Sequence, residues 1–471
     1  MQGGRGTYDS SVLGKWGRIP RDHDGSGHES SGYESEVSVT THLSLGTRVD
    51  DLIHAARTFF AVSISLPIAW ITLHPSIGSF RARKFRVVAE GTKSVVALQQ
   101  RLRHPVLDVF FQAVSFCAEE EFYLLVLPIL FWNIDRVLGR RITLVVTLGL
   151  LAGNTMKDVF GLPRPASPPV WRPSGLETMD STNLADFGFP STHSMNAVSN
   201  SLVTFLYLSG ASATNFDLGL LKEPSNQGML LLCIVYILSM CISRLYVGAH
   251  SPTDVRGGLA LGLIWTAVYF ASAIPMDQYI LSTPYLFPKL FFATIVVLLL
   301  NPQPRPVTPT FFQNSLLCGL ASGCLLGSRH YADLGDEQWD TAQSALSTYP
   351  VTLLSVLTIA RETFVPLQQA APLVLGVVRT LFGFVVVLVL RVLAKQLASS
   401  FFTMIGISLN PKVEPPKRNS RKVRLLTRDI DILANAITKV FVYSVLAWAI
   451  TFLVPRLQIL CGMATYDAGN L

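Results

Sequence analysis

Three short clusters in this 471-residue chain hold residue types that, brought together, could do phosphoryl chemistry. The first, Lys157-Asp-Val-Phe-Gly-Leu-Pro-Arg164-Pro165, carries two permanent cations, and Gly161 and Pro163 are expected to break a helix between them. The second is Gly188-Phe-Pro190-Ser191-Thr192-His193, where Pro before Ser/Thr predicts a helix start whose first N–H groups have no intrahelical acceptor. The third is Ser243-Arg244-Leu-Tyr-Val-Gly-Ala-His250-Ser-Pro-Thr-Asp254. Pro252 suits a first helical turn, which puts Asp254 in that turn and within reach of His250. Cations beside a helix N-terminus make an oxyanion site, and phosphate is its commonest occupant. Two histidines next to a phosphate allow a nucleophile and a general acid. A carboxylate behind one of them fixes its tautomer and stabilises its charged form.

Taken singly, each piece has an ordinary explanation. A Lys or Arg at a span end snorkels, Pro-Ser-Thr caps a helix, a lone His is a satisfied surface residue, and Gly258 and Gly262 pack helices. The three clusters carry chemistry only if the elements around them place all three at one face.

Those elements are membrane helices. Half of the residues are hydrophobic and 15% are charged, against about 25% in soluble domains. The apolar residues come in long runs, as lipid-solvated helices require. Disordered, collagen-like and nucleic-acid-binding classes are excluded by the same numbers. The net charge of +7 is read as topology rather than as a sign of a polyanionic partner. Six cysteines lie without metal-knuckle spacing, mostly inside apolar runs, and read as small buried hydrophobes. No cleavable signal peptide is expected, so insertion would rely on an internal apolar segment.

The expected organisation is a disordered polar tail at 1–55, a catalytic transmembrane core at 56–280, and further transmembrane helices at 281–471 with a basic cytosolic loop at 409–437. Candidate spans are 58–80, the second half of 106–134, 142–156, 194–211, 229–242, 258–275, 284–300, 313–327, 346–360, 373–394 and 438–461, about nine to eleven in all. The fold class is therefore all-α, a polytopic membrane helix bundle. With Arg136, Arg140 and Arg141 and the loop 409–437 in the cytosol, all three clusters fall at the opposite, lumenal face. The basic stretch 81–103 breaks this alternation: either it lies along the membrane surface or 58–80 does not cross. Arg329 and His330 are placed away from the active face with no catalytic role.

The motifs resemble those of the type 2 phosphatidic acid phosphatase superfamily, K-x6-R-P, P-S-x-H and S-R-x5-H-x3-D. Here they read Lys157/Arg164/Pro165, Pro190/Ser191/His193 and Ser243/Arg244/His250/Asp254. The wording around them, KDVFGLPRPASPP, GFPSTHSMNAV and SRLYVGAHSPTDVRGG, looks like the sphingosine-1-phosphate and long-chain-base phosphate phosphatases, as does the stretch NPQPRPVTPTFF at Asn301. The resemblance implies a six-helix core in the endoplasmic reticulum membrane and hydrolysis of a lipid phosphate. In it His250 would be the nucleophile, Asp254 its orienting carboxylate and His193 the general acid. Lys157, Arg164, Ser191, Thr192, Ser243 and Arg244 would hold the phosphate. No cofactor and no metal are expected. The partners are an amphiphilic lipid phosphate and the membrane, not nucleic acid. In the loop 166–189, Glu177, Asp180 and Asp186 could meet an amine beside the phosphate, although a solvated loop is the plainer reading. For the C-terminal third, a wider substrate site, a homodimer contact and regulation stay open. The alternatives are a phosphatidic acid or polyprenyl-diphosphate phosphatase and, from another class, a non-catalytic lipid-binding or transport protein.

Overall fold

The computed structural model describes residues 75–173, 187–211, 217–301, 309–333, 351–405 and 421–464. The tail 1–55, the run up to residue 74 and the acidic residues Glu177, Asp180 and Asp186 lie outside them. Among the described residues there are thirteen α-helices and no strand, so the all-α expectation holds. In chain order they are α1 Pro75–Leu102, α2 Pro105–Phe116, α3 Glu120–Ile129, α4 Arg136–Phe160, α5 Thr192–Leu208, α6 Pro224–Tyr246, α7 Pro252–Ser282, α8 Leu286–Leu300, α9 Pro309–Asp333, α10 Val351–Ala370, α11 Pro372–Met404, α12 Arg421–Trp448 and α13 Val454–Leu460. Single π-helical turns, Leu130–Ile134 and Ala449–Leu453, follow α3 and join α12 to α13. The helices α4, α6, α7, α11 and the stretch Leu433–Leu460 are long and apolar enough to cross a membrane, and α2 and α8 are shorter apolar helices.

Two charged stretches are helical. All but the last residue of the basic stretch 81–103 belongs to α1. The described part of the expected loop 409–437 is the start of α12, which runs without a break into the next apolar segment. In both places the sequence is charged, and charge at helical spacing is compatible with a solvated helix face as well as with a loop.

Local chemistry fixes the helix ends that matter. Asp135 caps α4 by accepting the N–H of Leu138 at 2.8 Å, and Gly161 ends that helix with a left-handed backbone, φ 58°. Ser191 caps α5. Ser251 and Asp254 form a reciprocal capping box on α7, with Pro252 in its first turn.

Packing then brings these ends together. Leu144, Val145 and Val146 of α4 pack with Val203 of α5, Tyr269 of α7 and Ala321 of α9 in one buried cluster. Helices α5 and α7 approach closely because Gly258 and Gly262 have no side chain: a Cβ on Gly262 would lie 2.8 Å from the Met195 carbonyl, and one on Gly258 would collide with the Ser191 carbonyl. At the far end of α4, Arg140 and Arg141 bind Asp277 of α7 at 2.9 and 3.1 Å. Anchored at both ends, α4 and α7 hold the three clusters in fixed relation.

Candidate active site

The three clusters do meet. Lys157, in the last turn of α4, donates from Nζ to Thr192 Oγ1 at 3.2 Å. Arg164, just beyond that helix, donates from Nη1 to the carbonyl of Ala249 at 3.0 Å, one residue before His250. The Ser191 N–H donates to the carbonyl of Asp254 at 3.0 Å, which ties the start of α5 to the start of α7. Thr192 and His193 are the first residues of α5, so their N–H groups have no acceptor within the helix.

His250 sits between α6 and α7 and is almost fully buried at 1% exposure. Its Nδ1 lies 3.8 Å from Asp254 Oδ2, an ion-pair distance rather than a hydrogen bond. That same oxygen accepts the Ser251 N–H at 2.7 Å. Asp254 therefore fixes the turn that carries His250 through the backbone and faces the imidazole with its charge. Burial pushes the His250 pKa well below 6.5, and the charges of Arg164, Arg244 and Lys157 push it the same way. The imidazole is therefore neutral at pH 7, as a nucleophile requires.

Arg244, at the end of α6, is buried and donates from Nη1 to Ser115 Oγ at 2.7 Å. Ser243, expected to contact phosphate, donates its hydroxyl proton to the Met240 carbonyl at 2.9 Å and lies 3.3 Å from the same Ser115 hydroxyl. It braces Arg244. Ser191 is likewise engaged, accepting from the Ser194 hydroxyl at 3.1 Å and the Ser194 N–H at 3.4 Å.

His193 has a partner that the sequence reading did not assign. Its Nε2 lies 3.0 Å from Glu119 Oε1. Glu119 precedes α3 at the N-cap position yet makes no side-chain cap to its own helix. Burial pushes its pKa up, but the His193 hydrogen bond and the charges of Arg244 and Arg164 outweigh this and hold it below the ordinary carboxylate range. Ser115 and Glu119 both come from the corner between α2 and α3, so this corner is a fourth side of the site. The signal for Glu119 was present: three consecutive glutamates interrupt an apolar run, which is expensive at membrane depth. A serine in an apolar helix gives no such signal.

A second ring of contacts holds the His250 loop. Buried Gln99 of α1 donates to the carbonyls of Trp171 and Tyr246, both at 2.8 Å, and accepts the Trp171 N–H at 3.0 Å. Buried Arg172 donates to the Gly248 carbonyl at 3.2 Å and to that of Pro165. Gly248 has φ 72°, and a Cβ there would collide with Val170 and Trp171. Among the described residues no three His, Cys, Asp or Glu side chains gather in a way that could hold a metal ion.

A small apolar cavity of about 70 Å³ lies between α3, α4, α9 and α12. Glu120 lines it, as do Leu150, Val146 and Thr143, so it extends along α4 away from Lys157.

A membrane helix bundle with cations, histidines and a helix N-terminus at one end defines a class. Residues 139–274 match the model of the PAP2 superfamily. The chain is similar to a probable sphingosine-1-phosphate phosphatase of Dictyostelium discoideum, 27% identical over 76% of this chain and 84% of that protein. It is 25% identical to lipid phosphate phosphatase delta of Arabidopsis thaliana, over 79% of this chain and 87% of that one. It is 27% identical to sphingosine-1-phosphate phosphatase 2 of Mus musculus, over 59% of this chain and 70% of that one. No solved structure gives a significant match.

Proposed function

We propose that the protein hydrolyses the phosphate monoester of sphingoid long-chain base phosphates (sphingosine-, dihydrosphingosine- or phytosphingosine-1-phosphate) through a phosphohistidine. One observation carries the reading: Lys157, Arg164, Arg244, His193 and His250 converge at one end of the bundle, with α5 beginning among them. The sphingoid substrate is supported by the names of the similar proteins.

In the first step the His250 Nε2 lone pair attacks phosphorus. The bond from phosphorus to the substrate's ester oxygen breaks, and His193 gives that alkoxide its proton. Lys157, Arg164, Arg244 and the N–H groups of Thr192 and His193 hold the phosphoryl oxygens while charge shifts onto them. In the second step water attacks the phosphohistidine, His193 takes the water's proton, and the P–N bond breaks to release inorganic phosphate. Three fixed cations supply the charge stabilisation that a metal supplies elsewhere, so the reaction runs without one. The amphiphile's tail stays among the apolar helices of the bundle.

The basic residues Arg136, Arg140 and Arg141 sit at the other end of α4 from Lys157. By the positive-inside rule that end is cytosolic, and the site faces the lumen of the endoplasmic reticulum.

Phosphate release from a panel of lipid phosphates in EDTA tests the reading. Turnover of sphingoid phosphates in chelator supports it. Activity lost in chelator and restored by a divalent ion refutes the metal-free chemistry. A preference for phosphatidic acid or a polyprenyl diphosphate would favour the alternative substrates, for which the likeness to a protein named lipid phosphate phosphatase delta speaks.

A further inference from the structure

Arg164 and His250 sit on two segments that are far apart in sequence. Arg164 opens one, which runs on to Arg172, and Arg244 and His250 bracket the other. A side chain of the site itself joins them, from Arg164 to the Ala249 carbonyl. Phosphate draws on the same guanidinium, so that contact alone would leave the spacing of the two segments dependent on the ligand. Two buried side chains outside the three clusters also span the gap.

Arg172 donates to the Pro165 carbonyl on the first segment and to the Gly248 carbonyl on the second. Gln99 reaches in from α1 and is 5% exposed. Its amide nitrogen donates to the Trp171 carbonyl on the first segment and to the Tyr246 carbonyl on the second, both at 2.8 Å. Its oxygen accepts the Trp171 N–H at 3.0 Å. A primary amide has two donors and an acceptor in one plane. Here both donors go to backbone of different segments, 72 and 147 residues away, and none serves the helix that carries it. The loop before His250 passes so close that a Cβ on Gly248 would lie 3.1 Å from Gln99 Nε2. The corner between α1 and α2 grips the same two residues from their side chains. Arg103 stacks on the Trp171 ring at 4.0 Å, and the Tyr246 hydroxyl donates to Asp108.

We infer that Gln99 is a positioning residue for phosphoryl transfer, fixing the separation between the Arg164 cation and the His250 nucleophile. Helix α1 is thereby part of the catalytic unit, although it lies outside residues 139–274. The inference rests on the phosphohistidine reading. In the transition state the attacking nitrogen, phosphorus and leaving oxygen must lie in line while the cations hold the other oxygens. Binding a tetrahedral phosphate needs only the cations and the helix N-terminus. Loosening the two segments therefore weakens the transition state far more than the ground state.

The test is the kinetics of Gln99→Leu and Gln99→Glu in the full-length protein, with orthovanadate and inorganic phosphate as inhibitors. An ionised glutamate keeps the shape and the acceptor but has no donor for the two carbonyls, so it separates bonding from packing. Vanadate takes the nucleophile as a fifth ligand and adopts the geometry of the transition state, whereas phosphate stays tetrahedral. Both variants should lose about 10²-fold in kcat, the effect of a displacement of about 1 Å, with KM within about threefold of wild type. Vanadate inhibition should weaken roughly 10–100-fold while phosphate inhibition changes by less than about threefold. The ratio of the two inhibition constants does not depend on how much of the enzyme is folded. Should Gln99→Leu fail to fold, Gln99→Glu and Arg172→Lys carry the test, since lysine keeps the charge but not the fork that reaches both carbonyls. Equal weakening of the two inhibitors, or wild-type kcat in Gln99→Glu, would overturn the inference and leave Gln99 with a role in folding alone. Wild type inhibited no better by vanadate than by phosphate would instead refute the His250 nucleophile, and this inference with it.

Discussion

The catalytic end of the bundle and its C-terminal helices are held together by different means. Around the site, α4, α5 and α7 meet through their ends: Lys157 to Thr192, Arg164 to the Ala249 carbonyl, Ser191 to the Asp254 carbonyl. Between α9 and α12 the contact runs along the helix middles, where Gly319, Gly323 and Gly327 at four-residue spacing lie against Val440, Ser444 and Thr451. A Cβ on Gly319 would come 2.6 Å from the Val440 carbonyl, and one on Gly323 would collide with that of Ser444. Lipid supplies no hydrophobic drive for helices to associate, so close backbone approach is what remains. Polar helix ends serve the chemistry, and small residues serve the assembly.

The two regions are joined by a buried polar bridge. Thr310 at the start of α9 donates to Asp158, the neighbour of Lys157, at 2.7 Å. Asn154 of α4 bonds Asn314 at 3.1 Å, which bonds Asn301 at 2.9 Å. The C-terminal helices thus brace the helix that carries Lys157.

This division can be broken from either side. The largest expected effect is His250→Ala: turnover should fall about 10⁴-fold or more with the unfolding midpoint unchanged, as for removal of a nucleophile. Gly323→Val should do the reverse. It should destabilise the detergent-solubilised protein by roughly 3–5 kcal/mol, in the range of severe overpacking, while the molecules that remain folded keep their turnover. Heat stability and activity per folded molecule measured on both variants would contradict the division if either change moved both quantities. Arg244→Ala should cost about 10²–10³ in kcat, the usual loss for one charge-stabilising donor. Thr310→Val is the test of the bridge: about 1 kcal/mol of stability for the lost hydrogen bond to Asp158, with a several-fold loss of kcat that Gly323→Val does not share.

The smallest effect is a pH profile. His250 has its pKa lowered in the folded protein, so it loses its proton below the ordinary range and is ready to attack at neutral pH. The acid limb of kcat/KM, which reports the free enzyme, should therefore lie below pH 6.5. The sign for stability follows. The unfolded chain takes up this proton at higher pH than the folded one, so acidification through that window favours unfolding. An acid limb above 6.5 would contradict a depressed His250.

Much of the site was legible because its parts are local. Pro190 before Ser191, Gly161 after Phe160, and Pro252 with Asp254 each announce a helix end, and the helices begin and end there. Glycines 258 and 262 were readable as packing positions for the same reason. What spacing does not encode is contact between distant segments. The Glu119–His193 bond spans 74 residues and the Asn154–Asn314 bond 160. Gln99 and Arg172 carried no signal, because their partners are backbone carbonyls that any sequence supplies. The glycine ladder of α9 shows a regular spacing, but only the facing helix α12 gives that spacing meaning. The charged stretch 421–437 read as part of a loop because charge alone does not separate a loop from a helix face.

The claim at the centre is that His250 becomes phosphorylated. Rapid quenching of the wild-type enzyme with sphingosine-1-phosphate labelled in its phosphate, followed by peptide mapping, measures this directly. The account predicts an acid-labile, base-stable phosphate on His250 that is absent from His250→Ala. Label on a serine or on His193, or phosphate release by His250→Ala at near wild-type rate, would contradict it.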